Sequence, residues 1–175
     1  MLSSMAVHSL ETTQQAAEQT SPSLRRWLFW AAAAAVLALD QLTKALVRAS
    51  LERGEAWPDD WPVRIRYITN TGAAFGILQD QTAFLMLMTV IGLAAIYLYY
   101  RYPPFDHAVV PTAIGMMLGG AIGNLVDRVR LGRVTDFIDF PLWPAFNVAD
   151  SSITIGVAII IIGYVFFADR HKLLG

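Results

Sequence analysis

The stretch VTDFIDFPLWPAFNVADSSITIGVAIIIIGYVFFA, residues 134–168, changes character partway along. Its first half sets Val134, Asp136 and Ile138 on alternate positions, the period of a strand, so Asp136 points to one face. Its second half, from Ala149 to Ala168, is an almost unbroken apolar run. A helix that crosses a bilayer needs about 20 such residues. Three carboxylates, Asp136, Asp139 and Asp150, stand at this junction. Ionisable groups at the membrane edge are costly and usually functional.

Three more apolar runs lie upstream. They cover about residues 27–45, 83–100 and 108–127, and the last covers 149–168. The chain of 175 residues is 55% hydrophobic and 15% charged, with a mean hydropathy of +0.47. Soluble domains average about 45–50% and about 25%. The expected fold is therefore an all-α membrane domain of four spans over 24–175, and four spans leave both termini on one side. Residues 1–23 are polar and aperiodic and read as a disordered tail.

Composition excludes several chemistries. There is no Cys, so disulfides, a Cys nucleophile and thiolate metal sites are ruled out. His8, His107 and His171 all fall outside the apolar runs. No His-Glu-x-x-His motif occurs. A net charge of -1 offers nothing to nucleic acid. Charge leaves the orientation open. The termini side carries Arg25, Arg26, Arg101, Arg170 and Lys172; the other carries eight basic residues, from Lys44 to Arg133.

The polar groups gather at one end of the expected bundle. Asp40 and Lys44 close the first span four residues apart, on one helix face. Asn124, Asp127 and Arg128 close the third, and Asn147 and Asp150 open the fourth. Asn70 and Gly72 lie in the loop leading into the second. Residues 63–69 alternate as a strand, and 50–62 read as an interfacial segment with two Trp-Pro pairs. Trp57, Trp61, Trp143 and Phe146 suit an interfacial aromatic belt.

Simpler roles exist for each group. Asp40–Lys44 suits an ion pair, Asp127–Arg128 a local pair, and Asp139 either an exposed position or a partner Arg. Asn147 with Asp150 three residues on reads as a capping box. Gly115, Gly119 and Gly123 form a small-residue stripe for close helix packing. Functionally, two carboxylates close together in a poorly solvated site share one proton and act as acid and base on a water. Asp136 and Asp150 suit that role. A Ser–Lys pair of Lys44 with Ser50, Ser151 or Ser152 is a second hydrolytic reading. An ion-coupled transporter and a non-catalytic assembly partner are readings from other classes.

DQLTK (40–44), NTGAAF (70–75), GNLVDR (123–128), VTDF (134–137) and FNVAD (146–150) follow one another in this chain. In order and spacing they resemble lipoprotein signal peptidase, or signal peptidase II. The resemblance covers roughly residues 24–170. It implies a bacterial inner-membrane aspartyl endopeptidase that removes signal peptides from prolipoproteins just before a diacylglyceryl-modified Cys. It also implies four spans with cytoplasmic termini, and a periplasmic active site beneath a small extracytoplasmic β-rich cradle and a short interfacial helix. Asp136 and Asp150 are then the catalytic pair. Asn70, Gly72, Asn124, Arg128 and Asn147 line or support the site, and Asp40 and Lys44 support it from the first span. No metal or organic cofactor is implied. The implied partners are lipid-modified precursors and membrane phospholipid, with the enzyme a monomer.

Overall fold

The computed structural model describes residues 21–58, 60–73, 77–103, 107 and 109–167. The disordered tail expected at 1–23 lies outside these residues except for its last three. There the chain departs from expectation, because the first helix, α1, already begins at Pro22 and runs to Ser50. Ser21 is its N-cap, its hydroxyl accepting from the Leu24 N–H at 3.3 Å. Pro22 at the first helical position suits a φ already fixed for helix. Three further long helices follow: α2 (Thr82–Arg101), α3 (Val109–Leu131) and α4 (Val148–Phe167). All four are long and apolar enough to cross a membrane.

Helix α3 packs against each of the other three. The glycine stripe explains how it approaches so closely. A Cβ on Gly115 would strike the Phe29 carbonyl oxygen, and one on Gly119 the Ala33 carbonyl oxygen, both on α1. Gly120 faces the opposite neighbour, where a Cβ would meet the Ala149 carbonyl of α4. The stripe is thus consumed inside the bundle. It offers no free face to an assembly partner. The matching face of α1 is buried at Phe29, Ala33, Asp40, Lys44 and Val47, a spacing of three, four or seven residues that defines one helical stripe. Gly119→Leu is expected to separate α1 from α3, because overpacking a closed contact costs about 1–3 kcal/mol. Gly92→Leu is the control, since nothing lies within 4 Å of that position. Thermal unfolding in detergent should fall for the first variant and hold for the second.

The two ends of the bundle differ. At the end where α1 begins, Phe29, Val110 and Ile114 form an apolar core, with the Phe29 ring stacked on Tyr100 at 4.0 Å. At the other end lies a four-stranded antiparallel sheet in the order β1 (Ala56–Trp57), β2 (Arg64–Asn70), β3 (Val134–Phe140), β4 (Trp143–Phe146). Between Ser50 and β2 the described residues form turns and bends around β1, and no helix. Register pairs Ile68 with Asp136 and Asn70 with Val134. It also pairs Phe140 with Trp143 around the two-residue turn Pro141-Leu142. Leu142 takes φ 65° there, a left-handed conformation that costs a leucine about 1–2 kcal/mol. β3 is one of the two inner strands. Its residues Val134 through Phe137 are all buried, so the alternation seen in sequence does not leave one face wet.

Candidate active site

The site residues arrive from separate segments of the chain. α1 brings Asp40 and Lys44, the end of β2 brings Asn70, and Gly72 follows it. The last turns of α3 bring Asn124 and Arg128, β3 brings Asp136, and the start of α4 brings Asn147 and Asp150. A cavity of about 520 Å³ opens among them. Asn70, Gly72, Asn124, Arg128, Asp136 and Asp150 line it. Asn147, Lys44 and Asp40 stand behind, fully buried.

Three amides hold the two carboxylates. Asn70 Nδ2 donates to Asp136 Oδ2 at 3.0 Å, and Asn147 Nδ2 donates to Asp136 Oδ1 at 2.7 Å. Asn124 Nδ2 donates to Asp150 Oδ1 at 2.7 Å. The direction of each amide is set from behind. Asn70 Oδ1 accepts from the Gly72 N–H at 2.9 Å, and Asn124 Oδ1 from Lys44 Nζ at 2.9 Å. Asn147 Oδ1 accepts from the Asp150 N–H at 3.0 Å. No amide can flip without placing oxygen against a carboxylate. Asn147 thus touches both aspartates. The capping box is also present, because the Asn147 N–H donates to Asp150 Oδ2 at 3.3 Å. Asp150 therefore caps α4 with one oxygen and turns the other to Asn124.

Asp136 lies outside the spanning helices and is 3% exposed. Burial, reinforced by the neighbouring charge of Asp150, pushes its carboxyl up from 3.8 to about 6. The Asn70 and Asn147 amides and the Lys44 ammonium act against that rise. The folded state therefore holds this proton more tightly than the unfolded chain. Below pH 3.8 the group is neutral in both states and costs nothing. Above pH 6 it is ionised in both, and the folded state has lost on the order of 3 kcal/mol. Asn at this position never ionises. The thermal stability of Asp136→Asn relative to wild type should therefore climb between pH 4 and pH 6.5 in detergent. The variant also leaves one amide donor facing an NH₂ group. That penalty is independent of pH, so the slope is the test, and a flat difference would refute it.

Behind the amides lies a buried ion cluster. Lys44 Nζ sits 2.9 Å from Asp40 and 3.5 Å from Asp127. The local pairing of Asp127 with Arg128 does not form, since adjacent residues point about 100° apart on a helix. Asp127 instead meets Lys44 and, at 3.6 Å, Arg48, while Arg128 Nη2 donates to the Gly72 carbonyl at 3.2 Å. Asp127 Oδ2 accepts from the Thr135 N–H at 2.9 Å, and Arg48 donates to Thr135 Oγ1 at 3.0 Å. Thr135 immediately precedes Asp136, so these bonds fix the strand that presents it. Arg48, Thr135 and the bridging Gln41, which donates to both Asp40 and the Gly123 carbonyl at 3.1 Å, escaped sequence reasoning. One signal was there: Arg48 repeats the four-residue step of Asp40 and Lys44. Of the two roles open to Asp139, exposure and an arginine partner, the structure takes the second: it is buried and meets Arg64 at 2.7 Å. Glycine is required at 72, where a Cβ would lie 2.6 Å from the Ile77 carbonyl oxygen.

Two of the three candidate serines are otherwise engaged. Ser151 Oγ donates to the Asn147 carbonyl and Ser152 Oγ to the Val148 carbonyl, each bonding its own helix. Lys44 is held between carboxylates. Nothing here favours a Ser–Lys pair. Among the described residues no group of three or more His, Asp or Glu is arranged to hold a metal ion.

Comparison with known proteins follows the same motifs. Residues 32–166 match the family model described as signal peptidase (SPase) II. A lipoprotein signal peptidase of Moorella thermoacetica is 42% identical over 126 residues, covering 71% of this chain and 84% of the relative. That of Geobacillus thermodenitrificans is 42% identical over 155 residues, covering 85% and 96%. A solved bacterial membrane enzyme superposes with a TM-score of 0.74 at 32% identity, covering 85% of this chain and 91% of its own.

Proposed function

The chain belongs to the signal peptidase II family, and on that premise we propose an aspartyl endopeptidase that cuts prolipoproteins just before their diacylglyceryl-modified Cys, using Asp136 and Asp150. Family and helices together make this a multi-pass membrane peptidase of the kind that removes signal peptides from prolipoproteins. One observation carries the finer reading. Two carboxylates from different elements line one cavity and are joined through one residue, Asn147, whose side-chain amide donates to Asp136 and whose main-chain N–H donates to Asp150.

The pair holds one proton between its members, because two carboxylates buried beside one cavity cannot both ionise cheaply. The ionised member takes a proton from a water in the cavity. The oxygen of that water attacks the scissile carbonyl carbon, and the protonated member gives its proton to the carbonyl oxygen. Collapse of the tetrahedral diol breaks the C–N bond as the amine nitrogen takes the proton held by the first carboxyl, while a diol hydroxyl returns its proton to the second and the pair is again singly protonated. The three locked amides keep both carboxylates oriented throughout. Arg128 and the Asn70–Gly72 loop form the wall against which the substrate backbone is held. The substrate's lipid supplies binding energy remote from the bond, which positions it. The cavity faces the periplasm and both termini the cytoplasm. All nine residues come from one chain, which suits a monomer.

Purified enzyme in phospholipid nanodiscs should cut a precursor carrying the diacylglyceryl group and leave the unmodified precursor intact. Mass spectrometry should place the cut before the modified Cys. Ser151→Ala and Ser152→Ala should both cleave as wild type does. Failure to cut the lipidated precursor would sink the assignment. Loss of activity in either serine variant would revive the Ser–Lys mechanism.

A further inference from the structure

The turn joining β3 to β4 is built against expectation for a water-facing loop. Its two residues are Pro141 and Leu142, and Leu142 adopts a left-handed φ of 65° with its side chain fully exposed at 105%. Glycine or asparagine relieves such a position, and a polar residue suits water. A leucine there gains nothing from the protein itself. Its neighbours are of the same kind: Phe140 and Trp143 are both exposed, and no charged residue occurs from Phe140 to Ala149. The turn before β2 contrasts with it, carrying Glu52, Arg53 and Glu55.

The hairpin's position supplies the occupant. β4 runs directly into α4, and Trp143, Pro144 and Phe146 share one cavity with Ile153 and Ile155 of that helix. Ile155 lies seven residues past the helix start at Val148, about 10 Å along its axis at 1.5 Å per residue. The hairpin therefore borders the same cavity as the first two turns of the span. Stacking of Phe140 on Phe146, with ring centroids 5.9 Å apart, stiffens the tip. The outer faces of the spans carry exposed Leu, Ile and Val, and the tip continues that apolar surface.

We propose that the β3–β4 tip, through Phe140, Leu142 and Trp143, is buried in the lipid leaflet at the headgroup–acyl boundary and anchors the sheet to the bilayer beside the cavity. The proposal rests on the spanning helices and the hairpin, not on the catalytic assignment. Trp and an apolar tip are suited to that depth, where rings and aliphatic groups meet partly dry surroundings.

The absence of Cys makes the test direct, because Leu142→Cys carries the only thiol. An environment-sensitive fluorophore on this variant, in nanodiscs of phosphatidylethanolamine and phosphatidylglycerol, is compared with the same fluorophore on Arg53→Cys. At 142 the emission should be blue-shifted. Lipids bearing a nitroxide high on the acyl chain should quench it several-fold more than at 53, and aqueous iodide several-fold less. Equal lipid quenching at the two sites, with ready access to iodide, would overturn the proposal. So would protection from both quenchers, because the tip would then be covered by protein.

Discussion

Asp136→Asn and Asp150→Asn are each expected to lower cleavage of a diacylglyceryl-modified precursor by about 10³-fold or more, with the protein still present in the membrane. The substitution is nearly isosteric and removes the ability to take and give a proton. A loss of that size is about 4 kcal/mol of barrier. It should fall on kcat, because neither carboxylate is needed to hold the lipid. Both variants carry a structural cost. In each, the new NH₂ group must face a donor: a side-chain amide at 136, and either the Asn124 amide or the Asn147 main-chain N–H at 150. An unpaired buried donor costs about 1–3 kcal/mol. Rates must therefore be read per folded enzyme. If either variant keeps near-normal turnover, that carboxylate is not part of the chemistry.

Lys44→Met is expected to damage the fold itself. Lys44 is fully buried, and its ammonium lies between Asp40 and Asp127. Removing one partner of a buried ion pair costs about 3–5 kcal/mol, because the remaining charge is left uncompensated. Two carboxylates are left here, with only Arg48 still near Asp127. The midpoint of thermal unfolding in detergent should drop by roughly 10 °C or more. A second substitution distinguishes charge from shape. Asp40→Asn removes the stranded charge while its side-chain oxygen can still accept from the Ala149 N–H. The Lys44→Met, Asp40→Asn double variant should therefore be more stable than Lys44→Met alone. A double variant that is worse than the single would show that packing, and not charge, dominates at this site.

The sequence shows what depends on local pattern. The four spans are legible because a run of about 20 apolar residues has few alternative uses. The strand at Arg64–Asn70 is legible in the alternation of VRIRYIT, and the cap of α4 in the spacing of Asn147 and Asp150. Convergence of the polar groups follows from counting spans up and down. Contacts across long separations are not legible. Sheet order joins residues 56–70 to 134–146, and nothing local in either segment fixes that pairing. Asp127 sits beside Arg128 in sequence, yet its partners Lys44 and Arg48 lie some eighty residues earlier. Orientation stayed open under charge counting because Arg48, Arg64 and Arg128 are spent on internal contacts and do not report which side they face.

The ion cluster sets an order on the making of this protein. Asp40 and Lys44 leave the ribosome together, four residues apart, so α1 can enter the bilayer with its charges already neutralising each other. Asp127 is synthesised some eighty residues later and must slide in beside a lysine that already has a partner. The last bond of the cluster, from the Ala149 N–H to Asp40, waits for the final helix. Until α4 is delivered, the first helix holds a polar surface turned toward the helices still to come. A quality-control protease that recognises polar groups exposed within lipid would therefore see every incomplete chain and not the finished one.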